Sequence, residues 1–120
     1  MKLTIIESPF APTNGHTVEA NINYARRCMA DSLARGEAPY ASHLLYTQPG
    51  VLDDTVPAER RLGIDAGFAW GAQAVRVAVY SDYGITRGMQ EGIARAKSAG
   101  QEVVHRTIGK NDERPVHADD

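Results

Sequence analysis

The stretch "VAVYSDYGITRGMQEGIARAKSAG", Val77 to Gly100, decides the fold class of this 120-residue chain. An apolar run ending at Tyr80 breaks at Ser81-Asp82, passes Gly84 and Gly88, and continues with helical spacing. A strand that feeds a helix N-terminus through a glycine-containing turn is a common unit of parallel α/β sheets, and it offers backbone N–H groups to an anion. The reading predicts a strand over Val75 to Tyr80 and a helix over Arg87 to Ala99. Gly100 ends that helix, and a further strand covers Gln101 to Arg106.

The same alternation extends toward the N-terminus. Leu3-Thr4-Ile5-Ile6 is short, β-branched and apolar on both faces, which predicts a buried parallel strand. After the loop "APTNGH", Thr17 caps a helix in which Val18, Ile22, Ala25, Met29 and Leu33 recur at helical spacing down to Gly36. "EAPYAS" gives a second strand around Ala38 to Ala41, which because of Pro39 lies at a sheet edge or starts only after the proline. His43 to Pro57 reads as a long loop with at most one helical turn. Pro57 then opens a helix closing near Gly71, with Leu62, Ala66 and Ala69 on one stripe and Ile64 and Phe68 on an adjoining one. That wide apolar face predicts heavy burial. The outcome is one α/β domain over residues 1–107 with a four- to five-stranded parallel sheet. The charged, unpatterned residues 108–120 are expected to form a flexible tail.

Composition narrows the function classes. The 13 Lys and Arg residues against 15 Asp and Glu leave a net charge of −2, and no basic stretch alternates with aromatic residues. A nucleic-acid partner is not expected. Cys28 is the single cysteine, so the chain has no internal disulfide and no cysteine-based zinc site, which fits a reducing, cytoplasmic setting. The start "MKLTIIESPF" is far short of a signal-peptide core, and no run approaches the roughly 20 apolar residues of a membrane span. The histidines and acidic residues show no metal-ligand spacing, so neither a metal nor a cofactor is expected.

Ligands of such sheets sit at the carboxyl ends of the strands, where "ESPF", "SHLLYTQ" and "SDYGITRG" converge. Ser8, followed by Pro9 and Phe10, offers a hydroxyl there or forms a simple turn. Asn21 and Tyr24 share a helix face directed at the crevice or at solvent. His43 and Tyr46 lie just beyond the second strand, placed to donate to a ligand or stack on a base. Glu59, Arg60 and Arg61 neutralise one another on the surface, or Glu59 or Arg60 reaches the crevice. Ser81, Thr86 and the N–H groups of Arg87, Gly88 and Met89 form the strongest candidate, a cradle for phosphate to which Arg87 adds a full charge. Glu91, one turn into that helix, is a nucleophile or base, or only a favourable charge near the helix dipole.

"IIESPF", "NINYARRCMADSLARGEAPYASHLLYTQ", "ERRLGIDAG" and "YSDYGITRGMQEGIARAKSAGQEV" together resemble small phage and bacterial proteins in the nucleoside 2-deoxyribosyltransferase-like superfamily. The likeness runs from Leu3 to about Arg106. It implies a three-layer Rossmann-like or flavodoxin-like fold and a nucleoside or nucleotide ligand whose N-glycosidic bond is cleaved or transferred. The phosphate would lie at the third helix, with the base near Phe10, Tyr46 or Tyr83. In the superfamily a glutamate of a G-x-x-x-E pattern attacks the anomeric carbon. Counted from Gly88, that position falls on Gly92, and this chain carries Glu91 one residue earlier. Glu91 is therefore the catalytic residue that the resemblance offers. The alternative is a binding protein without turnover, such as a phage protein that sequesters a nucleotide-derived immune signal. The resemblance also implies a homodimer or higher homo-oligomer, with Trp70 packing across a two-fold axis.

Overall fold

A computed structural model describes residues 1–109 and 112–115. Strand β1 (Lys2–Glu7) leads into helix α1 (Val18–Ala34) and strand β2 (Glu37–Tyr40). The short helix α2 (Ser42–Leu45) and helix α3 (Pro57–Gly71) precede β3 (Arg76–Tyr80). Helix α4 (Arg87–Ser98), β4 (Glu102–Thr107) and β5 (Asp112–Pro115) complete the order. The sheet runs β2-β1-β3-β4-β5. The first four strands are parallel, as the alternating elements predict, in a three-layer Rossmann-like arrangement of the kind that the resemblance implies. The fifth runs antiparallel to β4 and lies within residues expected to be a flexible tail, so the sheet extends beyond the anticipated end. Residues 110–111 and 116–120 of that tail lie outside the described residues.

Strand periodicity sorts the side chains into two cores. On one face Ile6, Ala78, Tyr80 and Val104 pack against Tyr24 and Cys28 of α1. On the other, Val77, Val79 and Val103 pack against Met89 and Ala96 of α4, with Ile5 beside them. Strand β2 does lie at the sheet edge, with Pro39 in register with Thr4. Helix α1 starts as expected, with the Thr17 hydroxyl accepting from the Ala20 N–H at 3.1 Å.

Helix α3 departs from the expected burial. Leu62 and Trp70 are 59% and 65% exposed, while the buried residues are Gly67 and Gly71. Gly63, Gly67 and Gly71 recur every four residues and face, in turn, Leu52, Ser42 and Ile5. A Cβ on Gly67 would fall 2.6 Å from the Ser42 hydroxyl, and one on Gly71 would fall 2.8 Å from Cδ1 of Ile5. The helix therefore docks through a ridge of missing side chains, with Leu62 and Trp70 facing outward and Ile64 and Phe68 partly buried.

A charged network crosses the α1 face. Arg106, almost fully buried, donates to Glu37 at 2.8 and 2.6 Å and to the Tyr80 hydroxyl at 3.1 Å. Ser32 and Arg76 also donate to Glu37, at 2.7 and 2.9 Å. Burial alone would raise the Glu37 pKa, but the hydrogen bonds from Arg106, Ser32 and Arg76 bring it down to about 2.

Candidate functional site

The chain passes from β1 to β2 on one side and then to β3 on the other, so β1 and β3 bracket a topological switch point. Loops leaving two such strands diverge and leave a crevice between them. A cavity of about 460 Å³ occupies that place, lined at its polar end by Glu7, Ser8, His43, Arg60, Arg87 and Gly88. Farther in, Ile5, Ile64, Phe68, Val77 and Ala96 make the wall apolar. A second recess of about 660 Å³ adjoins it and shares Phe10, Asp54 and Arg60.

Glu7 is the residue that the sequence reading missed. It ends β1 on the α4 side of the sheet, partly buried, and its carboxyl lies against the backbone of Gly92. A Cβ on Gly92 would fall 2.5 Å from Cδ of Glu7 and 2.8 Å from its Oε1. The carboxyl thus occupies the space where a side chain at position 92 would begin. Burial, and then the negative charge of Glu91, push its pKa up to about 8. Among the described residues no hydrogen-bond donor holds the carboxyl.

Ser8 and His43 meet beside it. The Ser8 hydroxyl and Nε2 of His43 are 2.7 Å apart, and Phe10 sets its ring edge-on to the imidazole at 6.4 Å. Burial pulls the His43 pKa down to about 4, so the ring is neutral near pH 7. The segment expected to be a loop supplies this histidine from the single-turn helix α2. Arg60, from the first turn of α3, reaches the crevice and binds Asp54 at 2.9 Å.

The turn after β3 builds the other wall. Thr86 caps α4, its hydroxyl accepting from the Met89 N–H at 3.2 Å, while Met89 Sδ accepts from the Thr86 N–H. Thr86, Arg87, Gly88 and Met89 all line the crevice. Arg87 is exposed and makes no side-chain hydrogen bond or ion pair among the described residues. Arg60 Nη2 lies 3.5 Å from a Cβ placed on Gly88, so a second guanidinium stands over the same helix start.

Other expected residues serve the frame. Pro9 is buried and does not line the crevice. Asn21 is fully buried and donates to the carbonyls of Phe10 and Ala11 at 3.1 and 3.0 Å, which anchors the loop after β1. Tyr24 faces the α1 core and donates to Asp82 at 2.5 Å, while Tyr83 stacks between Tyr24 and His16. Tyr46 accepts from Tyr40 at 3.0 Å, and Ser81 contacts His105. None of Tyr24, Tyr46, Ser81 and Tyr83 lines the main crevice.

Glu91, expected to be catalytic, is also outside the crevice. Its carboxylate is 45% exposed and binds Arg61 at 2.9 Å. Adjacent helical residues point about 100° apart, so the face of α4 that turns Gly92 inward turns Glu91 toward α3 and solvent. Among the described residues no group of histidine, cysteine and carboxylate side chains is placed to hold a metal ion, and no helix is long and apolar enough to cross a membrane.

Fold and site together define an α/β protein with a strand-end crevice, a carboxyl in its wall and cationic groups at its mouth. Residues 2–106 match the family described as Domain of unknown function (DUF7768), and the chain belongs to that family. No curated protein and no solved structure matches the chain.

Proposed function

We propose that the crevice binds a nucleoside 5′-phosphate or a related nucleotide and cleaves or transfers its N-glycosidic bond. The carrying observation is the Glu7 carboxyl, set in the wall of a cavity of about 460 Å³ at the carboxyl ends of β1 and β3 with no donor among the described residues. The start of α4, with Arg87 and Arg60 beside it, suits a phosphate. Phe10 at the opposite loop suits a base, which leaves the sugar to span the wall that carries Glu7 and Ser8. Cleavage through an oxocarbenium-like state needs a carboxyl close to the breaking bond, and in this crevice the carboxyl so placed is Glu7 and not Glu91.

The solvent-facing ion pair of Glu91 favours a second reading, a protein that holds a nucleotide without turnover. The two separate on the release of free base. Independently, Arg87→Ala tests the phosphate position. It is expected to weaken binding of a nucleoside monophosphate by about tenfold, the scale of one charge-assisted contact, and to leave the unphosphorylated nucleoside unaffected. Equal affinities of wild type and variant for the monophosphate would remove the phosphate from this end of the crevice. The exposed Leu62 and Trp70 on α3 support the homo-oligomer proposal. Light scattering at high protein concentration is expected to give at least a dimer mass, and a monomer would contradict it.

A further inference from the structure

We infer that Glu7 acts as a proton donor to the leaving base, so that this crevice hydrolyses its substrate directly and forms no glycosyl-enzyme ester. The inference rests on the nucleotide reading above and adds the chemical role of the carboxyl.

Among the described residues, the geometry around Glu7 gives its charge no protein donor and no cation. A carboxylate that attacks carbon must be ionised, and proteins keep such groups ionised with N–H donors or a nearby cation. Among the described residues, the cations of the crevice and of the helices beside it are directed elsewhere. From α3, Arg60 is bound to Asp54, and Arg61 is bound to Glu91 and Asp65. From α4, Arg95 lies over the Phe68 ring at 4.9 Å, and Arg87 is exposed at the helix start. From α2, His43 is engaged with Ser8. On the same sheet face, Val79 of β3 adjoins Glu7 in register and His105 of β4 contacts Ser81. Glu91, the nearest acidic neighbour on α4, adds repulsion to ionisation. The backbone of Gly92 closes one side of the carboxyl with no polar side chain. An acid in such a setting retains its proton near neutral pH, as a general acid requires.

The step balances as a hydrolysis. The C1′–N bond breaks with its electron pair leaving on the base, and the Glu7 carboxyl proton moves to that base. A water oxygen bonds to C1′, that water loses a proton to solvent through the mouth of the crevice, and Glu7 regains one from solvent. The products are free base and the sugar phosphate.

The test combines two measurements. In the resting protein, carbon NMR of carboxyl-labelled glutamate, assigned through Glu7→Gln, is expected to show Glu7 titrating near pH 8. Titration below pH 5 would overturn the inference without any substrate. A panel of ribo- and deoxynucleoside 5′-monophosphates is then incubated with wild type in the presence of a second, labelled base. Release of free base with no incorporation of the labelled base is expected, with kcat/KM falling tenfold per pH unit above about pH 8. Glu7→Gln, uncharged like the protonated acid, is expected to fold and bind as wild type while losing about 10²–10⁴-fold in turnover. Base exchange, or a sugar adduct on Glu7 by mass spectrometry, would overturn the proton-donor role and leave the glycosidic reading standing. No base released from any nucleotide would overturn that reading, and the inference with it, whatever the NMR result.

Discussion

Two carboxyl groups with opposite surroundings give the protein opposite responses to pH. Glu37, held down to about 2 against an ordinary 4.5, is ionised in the folded chain where the unfolded chain is already protonated. Its contribution to stability is complete above pH 4.5 and is lost as pH falls through that interval to about 2. Glu7, pushed up from 4.5 to about 8, binds a proton in the folded chain where the unfolded chain has released it. Its contribution is complete below pH 4.5 and is lost as pH rises to about 8. Urea unfolding of Glu7→Gln is therefore expected to match wild type at pH 5 and to exceed it in stability at pH 8.5. An unchanged difference between those two pH values would mean that Glu7 is ionised throughout. Arg106→Met leaves Glu37 buried without its strongest partner and is expected to cost about 3–5 kcal/mol by the same measurement. It should also move the acid-unfolding midpoint upward, and a loss below about 1 kcal/mol would show the network to be dispensable.

At the scale of elements, α3 carries the difference between pattern and packing. Its apolar residues have helical spacing, and the periodicity that identifies the helix does not identify its buried face, because glycine contributes no apolar side chain to count. Gly67 and Gly71 are buried because α2 and β1 approach too closely for a Cβ. Gly67→Ala is expected to cost about 1–3 kcal/mol despite the better helix propensity of alanine, and to disturb His43 through its neighbour Ser42. Gly63→Ala meets the flexible tip of Leu52 at 3.2 Å and Cβ of Tyr46 at an ordinary 3.8 Å, and is expected to lose less. Thermal melts of the pair check the order, and equal melting temperatures would show that the ridge does not set the helix position. The strands were legible because β-branched runs between turn residues have few other readings. The α1 cap was legible because a threonine just before an apolar run of helical spacing has a defined hydrogen-bonding role. Strand β5 was not, since a charged four-residue edge strand lacks the alternation that marks a half-buried one. Glu7 left one signal, an acidic residue closing an otherwise apolar strand. The contact with Gly92 that gives it meaning spans most of the chain and has no local trace.

The whole molecule places its chemistry where the strand order reverses. The sheet supplies Glu7 and Ser8, α2 supplies His43, α3 supplies Arg60, and α4 supplies its own start, so the crevice exists only when all four are docked. A ligand that bridges them binds the folded chain alone, and at a hundredfold excess over its Kd it would add about 2.7 kcal/mol of stability. A clear rise in melting temperature is accordingly expected with the nucleotide that fits, and no shift with any of the panel would argue that the crevice takes another ligand. The most direct test of the central claim is chromatography of nucleoside 5′-monophosphates after incubation with wild type and with Glu7→Gln. Free base is expected from at least one nucleotide with wild type and almost none with the variant. Equal release by both proteins, or release by neither, would contradict it.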